Sequence, residues 1–341
     1  MQLTIGIKCL NEEAKIEACL KSAMQAAANY DSEIILADSG STDRTIEIAR
    51  KFPIRIVQLA NAADRSCGAG AQLAFQYATG SYFYLLDGDM ILNPDFIEAG
   101  IAFLEDNAEF AAVGGHSVER NTSTAEFAIR AGELGKALSH TGTVDRLDGG
   151  GLYRAEAIRA AGFFADRNLH SFEELELAAR LHADGWKLAR INVPAYEHYG
   201  HTGGSYRLLW RRFRSGYAGS PGELVRSAMG TRHLNFILRR LRHTWYMPAI
   251  FLWWLLLPAS LLISPWATAI LFALPIVLLS LRRRSVSLGV YSFASWNIIA
   301  LGSLAALLRR RTSPLDPLPA IDLSPERSPS ARATAPDKGT S

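Results

Sequence analysis

Two aspartates at the end of an apolar run are the residues best suited to chemistry. Residues 82–86, Tyr-Phe-Tyr-Leu-Leu, lead directly into Asp87-Gly88-Asp89. Mg²⁺ and Mn²⁺ prefer carboxylate and phosphate oxygens, so such a pair can hold a divalent cation against the phosphates of a nucleotide. A loop carrying two solvated aspartates explains the same residues equally well. The motif alone therefore leaves both interpretations open.

Asp38 is a second candidate, because it ends the apolar run 32–37 just before a polar loop. A carboxylate there can accept a hydrogen bond from a base N–H or a ribose hydroxyl. Ser41 or Thr42 can cap the helix that follows, but a cap does not require Asp38. Further along, Arg65 precedes the glycines of residues 68–70, which either let the chain approach a phosphate or relieve packing.

Glu173 and Glu174 begin a predicted helix that continues through residue 181. Negative charge is favourable at a helix N-terminus, which is the simplest explanation for both. The functional alternative makes one of them a general base for a hydroxyl group. Glu176 and Arg180 are four residues apart and are expected to form an ordinary helical ion pair.

The elements that would position these side chains alternate along the first 194 residues. Strands are predicted over 3–7, 32–37, 54–59 and 82–86, and helices over 12–28, 42–52 and 68–78. This alternation indicates an α/β fold with a mostly parallel sheet. Ligands of such sheets bind beyond the carboxyl ends of the strands, where residues 11–13, 38–40 and 87–89 would converge.

The charge distribution separates the 341 residues into two parts. Residues 1–200 carry 18 Lys+Arg against 28 Asp+Glu, and residues 201–341 carry 18 against 5, so the parts have net charges of −10 and +13. The acidic first part argues against a nucleic-acid partner, whereas the basic, apolar second part favours a membrane surface. We expect residues 201–243 to form a basic interfacial helical segment.

Residues 244–281 contain no charged side chain in 38 positions. Ser264-Pro265 divides them into two lengths that each suit one membrane span, so a transmembrane hairpin is predicted. The arginines before and after it place both ends in the cytoplasm. Residues 285–308 are either a third span or a re-entrant or interfacial segment, and residues 309–341 are expected to be a disordered tail.

Five segments, in order along the chain, resemble the motifs of the family 2 inverting glycosyltransferases. They are residues 5–13 (IGIKCLNEE), 38–45 (DSGSTDRT), 86–96 (LDGDMILNPDF), 149–154 with 162–164 (GGGLYR and GFF), and 172–181 (FEELELAARL). The resemblance implies a GT-A nucleotide-diphospho-sugar transferase fold over residues 1–200 and Mg²⁺ or Mn²⁺ as cofactor. It also implies a nucleotide-diphospho-sugar donor, with a UDP-sugar favoured, and a role in bacterial polysaccharide or glycolipid assembly.

Position by position, the resemblance assigns roles to individual residues. Glu174 is implied as the general base with Glu173 as the alternative, Glu12, Asp38 and Asp87 as nucleotide-binding, Asp89 and Asp87 as metal-binding, and Gly150, Gly151 and Arg154 as acceptor-side residues; Arg65, from its place before the glycines of residues 68–70, is a further nucleotide-binding candidate. Residues 211–214 do not match the Q-x-x-R-W motif of processive relatives, which favours the addition of a single sugar. With the predicted hairpin, this describes a multi-pass inner-membrane enzyme with a cytoplasmic catalytic domain and a lipid-linked or saccharide acceptor.

Two other classes of protein remain as alternatives. A catalytically silent nucleotide-sugar-binding scaffold at the membrane would keep the same binding residues, although paired carboxylates serve turnover better than adhesion. A dinucleotide-dependent oxidoreductase is disfavoured, because Asn11-Glu12-Glu13 after the first strand is not glycine-rich and would repel a pyrophosphate.

Overall fold

A computed structural model describes residues 1–120, 140–147, 149–199 and 205–325. Ten strands form one sheet in the order β10-β3-β2-β1-β4-β8-β6-β9-β5, with β7 paired to β9. The strands are β1 Leu3–Cys9, β2 Ser32–Asp38, β3 Arg55–Leu59, β4 Tyr82–Asp87, β5 Met90–Leu92, β6 Phe110–Glu119, β7 Gly142–Val144, β8 Gly151–Arg154, β9 Lys187–His198 and β10 Ala320–Asp322. The four strands predicted from the sequence are all present.

Helices cover both faces of this sheet. They are α1 Ile16–Ala27, α2 Thr45–Ala49, α3 Cys67–Gln76, α4 Pro94–Asp106, α5 Ala155–Ala160 and α6 Glu173–Ala183, with a short 3-10 helix at Ala62–Asp64. The three helices predicted from the sequence are α1 to α3, and each is shorter than expected. Apolar side chains of strands β1 and β4 alternate between the two faces: Ile5, Ile7 and Tyr84 lie in one core, and Phe83 and Leu85 in the other.

The sheet is mixed rather than mostly parallel. Strands β1 to β4 are parallel to one another, as predicted. Beyond β4, strand β8 runs antiparallel to both β4 and β6, and β5 and β7 run antiparallel to β9. Strand β6 nevertheless runs parallel to β9, so parallel pairing is found both among β1 to β4 and between β6 and β9.

Six helices follow the sheet domain. They are α7 Ser205–Arg214, α8 Ser220–Ala228, α9 Leu234–Arg240, α10 His243–Leu261, α11 Pro265–Arg283 and α12 Val286–Leu307, with a 3-10 helix at Tyr217–Gly219. Helices α10, α11 and α12 are each long and apolar enough to cross a membrane. Ser264 caps α11 through its side chain, so the predicted break falls between α10 and α11. Helix α12 differs from the hairpin, because a third of its apolar window is buried, against 6% in α10 and α11.

The expectation of a disordered tail from residue 309 is wrong for residues 309–325, which we call the C-terminal strap. Arg309 Nη1 donates to Glu223 Oε1 over 2.8 Å, and Arg311 pairs with Asp166. Leu318 is buried, and β10 pairs antiparallel with β3 at the edge of the sheet. The strap is ordered because its few apolar side chains, its arginines and its backbone find partners on the sheet domain and on α8. Residues 326–341 lie outside the described residues.

Candidate active site

The acidic turn at residues 87–89 lies at the carboxyl end of β4, between β1 and β8. Asp87 is opposite Lys8 in the register of β1 and β4, and the Gly88 amide donates to the Lys8 carbonyl over 2.9 Å. A Cβ added at Gly88 would lie 2.9 Å from the Cβ of Cys9. Only glycine therefore lets the turn pack against β1, which fixes the directions of both aspartates.

A buried lysine joins this turn to the predicted general-base helix. Lys8 Nζ lies 3.3 Å from Asp87 Oδ1 and 2.7 Å from Glu173 Oε1. Burial disfavours the ammonium charge, but the carboxylates of Asp87 and Glu173 outweigh it and raise the pKa of Lys8 above its ordinary value. Burial raises the pKa of Asp87, and the nearby Asp89 carboxylate raises it further, although the Lys8 ammonium acts in the opposite direction. Residues 165 positions apart in the chain thus share one ionic network.

Glu173 and Glu174 occupy the first turn of α6, but their surroundings differ. Glu173 is 4% exposed and paired with Lys8, whereas Glu174 is partly exposed. Burial and the charge of Glu173 raise the pKa of Glu174 to about 8. Phe172, just before them, has a φ of 69°, a left-handed conformation that non-glycine residues rarely adopt. Of the two glutamates, Glu174 is the one with both solvent access and raised basicity.

Asp89 faces His198, the last residue of β9. His198 Nε2 lies 3.3 Å from Asp89 Oδ2, and Lys15 Nζ lies 3.8 Å from the same oxygen. The pairing of β5 with β9 places Met90 opposite His198, and the Tyr199 amide donates to the Asp89 carbonyl over 3.2 Å. His198 comes close to Asp89 because of this antiparallel pairing between segments more than 100 residues apart. No local sequence signal indicates such a pairing.

Glu12 is a further carboxylate near the acidic turn, and it lies beside Lys15. Its carboxylate is 3.9 Å from Lys15 Nζ, and its amide donates to Thr45 Oγ1 over 2.8 Å. Burial and the Asp89 carboxylate raise the pKa of Glu12 to about 7. Within the described ranges, no three His, Cys, Asp or Glu side chains converge closely enough to hold a metal ion alone.

The donor set at Asp89 nevertheless fits a divalent cation shared with a ligand. Mg²⁺ in nucleotide sites is commonly held by one or two carboxylates together with substrate phosphates, rather than by an all-protein cage. Asp89, Asp87 and the imidazole of His198 supply oxygen and nitrogen ligands of the type that Mn²⁺ and Mg²⁺ accept. The diphosphate of a bound nucleotide would supply the remaining oxygens.

Asp38 lies at the expected edge but is fully buried. Its Oδ2 accepts from the amides of Gly40 and Ser41, each over 2.8 Å, and from Gln58 Nε2 over 2.7 Å. Its Oδ1 accepts from the Ser41 hydroxyl over 2.5 Å. In this conformation Asp38 organises the loop after β2 and exposes no surface to a nucleoside.

Arg65 braces the same loop from outside. Its Nε and Nη2 donate to the carbonyls of Ser39 and Gly40, each over 2.6 Å, while the side chain remains exposed at the edge of the sheet. The nearby Gly68 serves packing, because an added Cβ would lie 2.1 Å from the Asp166 carbonyl. Of the two explanations for the glycines of residues 68–70, the packing one therefore applies to Gly68.

Of the three expected acceptor-side residues, Arg154 lies apart from Gly150 and Gly151. Gly150 has a φ of 52°, and an added Cβ would lie 2.5 Å from the ring of Tyr196. Gly151 pairs with Leu85, near the carboxyl end of β4. Arg154 instead pairs with Tyr82 at the other end of that strand, roughly 17 Å from the acidic turn, and donates to the Phe110 and Leu104 carbonyls. The guanidinium of Arg154 thus bonds to backbone carbonyls, and the structure does not bring it to the acidic turn.

Comparison with known proteins finds relatives for the part of the chain that carries the acidic turn. Residues 4–162 match the family described as Glycosyl transferase family 2. The chain is 27% identical over 174 residues to the putative glycosyltransferase EpsE of Bacillus subtilis (strain 168), covering 48% of this chain and 61% of EpsE. It is 27% identical over 240 residues to the succinoglycan biosynthesis protein ExoA of Rhizobium meliloti (strain 1021), covering 66% of this chain and 71% of ExoA.

A solved structure shares the fold. The mannosyltransferase PcManGT from Pyrobaculum calidifontis, in complex with GDP-Man and Mn²⁺, superposes with a TM-score of 0.58 at 17% identity, over 90% of this chain and 87% of that one. At this level of identity the likeness concerns the fold, and it shows that the mixed sheet described above is that of the GT-A transferases.

Proposed function

We propose that this chain, whose residues 4–162 match Glycosyl transferase family 2, is a glycosyltransferase that transfers one sugar, with inversion, from a nucleotide-diphospho-sugar to a lipid-linked acceptor. The observation that carries the proposal is the ionic bridge from Asp87 through Lys8 to Glu173. It joins the turn suited to a donor diphosphate to the helix that presents Glu174. A donor and an acceptor hydroxyl can thus meet in one cleft.

In the proposed reaction, Glu174 takes the proton of the acceptor hydroxyl. The hydroxyl oxygen then attacks the anomeric carbon from the face opposite the diphosphate, the bond from that carbon to the diphosphate oxygen breaks, and the configuration inverts. A raised pKa makes Glu174 a stronger base than an ordinary glutamate. Phe172 and Lys8 hold the first turn of α6, so that Glu174 keeps its position during the attack.

The leaving diphosphate would lie beside Asp87 and Asp89. Asp89, Asp87 and His198 would hold Mg²⁺ or Mn²⁺ there, and such an ion, when bound, stabilises negative charge on the departing oxygen. Glu12 and the exposed side of Arg65 line the edge where we place the nucleotide. UDP-sugars are the first donors to test, followed by GDP-sugars, because the neighbouring mannosyltransferase binds GDP-Man with Mn²⁺.

The apolar helices support an acceptor within a membrane. Helices α10 and α11 expose large apolar side chains along their length, including Leu255, Leu261 and Ile270. The basic helix α7 exposes Tyr206 and Trp210, as a segment at a lipid surface does. We therefore place the protein in the bacterial inner membrane with its catalytic domain in the cytoplasm, and its product in the assembly of a polysaccharide or glycolipid.

The test uses the full-length protein in lipid nanodiscs with Mn²⁺, extracted membrane lipid and a panel of nucleotide sugars. We expect one donor to label a lipid product with inverted anomeric configuration. Asp89→Ala should abolish this transfer, and Glu174→Gln should abolish it while donor binding remains. Undiminished transfer in either variant, or retention of the donor's configuration in the product, would contradict the proposal.

A further inference from the structure

The three apolar helices enclose a groove that the proposed reaction has not used. It has a volume of ≈ 380 Å³ and lies between α10, α11 and α12. That volume is within the range of small-molecule sites, about 300–1,000 Å³. The groove is lined by the first half of α10 and the second half of α11, from Tyr246 to Trp253 and from Leu271 to Arg282. Its position is therefore the half of the hairpin nearer to the catalytic domain.

A proline and a tryptophan give the groove a defined wall. Pro275 lies inside α11 and has no N–H to donate to the carbonyl of Leu271, four residues earlier. Trp253 of α10 satisfies that carbonyl instead, through its indole N–H over 2.9 Å. All three residues line the groove. Because a backbone carbonyl without a partner is costly in lipid, this cross-helix bond fixes the wall.

A series of aromatic rings connects the groove to the helix that carries the general base. The ring of Phe172, the residue before Glu173, lies 5.6 Å from the ring of His243. His243 lies 5.5 Å from Tyr246, and Tyr246 stacks on Trp296 at 4.5 Å. Tyr246 and Trp296 both line the groove. The groove is thus in continuous ring contact with the start of α6.

The charge of the groove is asymmetric. Among the lining residues in the described part of the chain, Arg282 alone carries a charge, and it follows the uncharged residues 244–281. Asn297, Trp253 and Tyr246 supply the polar atoms, and the remaining lining is apolar. An apolar channel with one cationic end is complementary to a molecule that has a hydrocarbon chain and a single anionic head group.

We propose that this groove binds the hydrocarbon chain of the acceptor, a single-chain lipid phosphate whose head group lies at Arg282. The inference rests on the function proposed above and specifies its acceptor class. Binding here anchors the acceptor beside the aromatic series, on the side of the hairpin from which its head can reach Glu174. The alternative occupant, bulk bilayer phospholipid, is an outcome of the test.

The first experiment maps binding without requiring turnover. Full-length protein in phosphatidylcholine nanodiscs is irradiated with a diazirine-bearing farnesyl phosphate, and the labelled peptides are identified by mass spectrometry. We expect labelling in residues 246–253 and 271–282, and competition by unlabelled farnesyl phosphate but not by the same amount of phosphatidylglycerol. Equal competition by both lipids, or labelling spread over the exposed faces of the helices, would overturn the proposal.

Two matched variants make the test specific. Ala249→Trp fills the groove, whereas Leu255→Trp adds the same side chain at an exposed position of α10 outside it. We expect Ala249→Trp to lower labelling about tenfold or more, a loss equivalent to one decade in affinity, and Leu255→Trp to leave it unchanged. Equal labelling in both variants would refute the groove as the binding site.

Metal-dependent release of nucleotide from the donor, measured without acceptor, separates this inference from the proposed function. If both tryptophan variants release nucleotide at the wild-type rate and labelling is absent from the groove, the acceptor site is wrong and the transferase assignment stands. If labelling falls in the groove but no donor is turned over in any lipid, the transferase mechanism fails instead.

Discussion

Lys8 Nζ lies 2.7 Å from Glu173 Oε1, although the two residues belong to the first strand and to the helix that starts 165 residues later. The same ammonium group is 3.3 Å from Asp87 Oδ1. Lys8 therefore holds the acidic turn and the first turn of α6 at a fixed separation. A reaction that needs a leaving group on one side and a base on the other depends on that separation.

Replacement of Lys8 by methionine should destabilise the protein strongly. It leaves Glu173, which is 4% exposed, without a compensating charge, and breaking a buried pair costs about 3–5 kcal/mol. Lys21→Met is the control, because its pair with Glu17 is exposed to solvent and contributes little to stability. Denaturant unfolding in detergent measures both. A similar midpoint shift for the two variants would mean that the Lys8 bridge contributes little.

The rate of transfer should rise with pH. Burial and the charge of Glu173 raise the pKa of Glu174 to about 8, and only the ionised carboxylate accepts a proton. Transfer should therefore increase as the pH rises through about 8 and level off above it. Glu173→Gln removes the neighbouring negative charge, so it should move this rise to lower pH. Glu17→Gln, at an exposed position, should leave the profile in place, and a rise that Glu173→Gln does not move would exclude Glu174 as the titrating base.

His198 should contribute to metal affinity. Its Nε2 lies 3.3 Å from Asp89 Oδ2, so an ion bound by Asp89 could also contact this imidazole. We expect chelation by EDTA to stop transfer and Mn²⁺ to restore it, and His198→Ala to raise the Mn²⁺ concentration required by about tenfold or more. His116→Ala, on β6 beside Asn192, is the matched control. An unchanged Mn²⁺ requirement in His198→Ala would remove this residue from the ligand set.

The C-terminal strap should stabilise the catalytic domain. Leu318 is 2% exposed, and its amide donates to Gln76 Oε1 over 2.8 Å. Leu318→Ala should lower the free energy of unfolding by about 2 kcal/mol, the low end for buried leucines. Leu315→Ala, at a position 68% exposed, should change it by less than about 0.5 kcal/mol. Thermal unfolding of the two variants checks the difference.

The sequence predicted those parts of the fold in which local pattern and topology agree. Strands β1 to β4 are short apolar runs separated by helices, so periodicity alone identified them and their common carboxyl edge. Strands β5 and β7 are three residues each, too short for a periodic signal. The strap has a composition rich in Pro and Ser, and its order depends on Leu318 and on the free edge of β3, which only the folded domain provides.

The candidate site was predictable to a similar extent. The acidic turn and the glutamate pair were identified by residue type and spacing, and the structure brings them together through Lys8. Sequence reasoning gave Lys8 no role, because a lysine in an apolar strand has no local signature of an ion pair. Asp38 and Arg154 were placed at functional surfaces by motif position, but hydrogen bonds to their own chain occupy both.

The strap has a consequence for membrane topology. The polypeptide enters the apolar helices from α9 and leaves them into β10, and both flanks belong to one folded body, since β10 is hydrogen-bonded to β3. A chain whose two flanks lie in the same compartment passes through a bilayer an even number of times. Under the membrane placement proposed above, α10 and α11 would traverse the bilayer, and α12, which packs against α8 and the turn at Tyr217–Gly219, would begin and end on the same side of it.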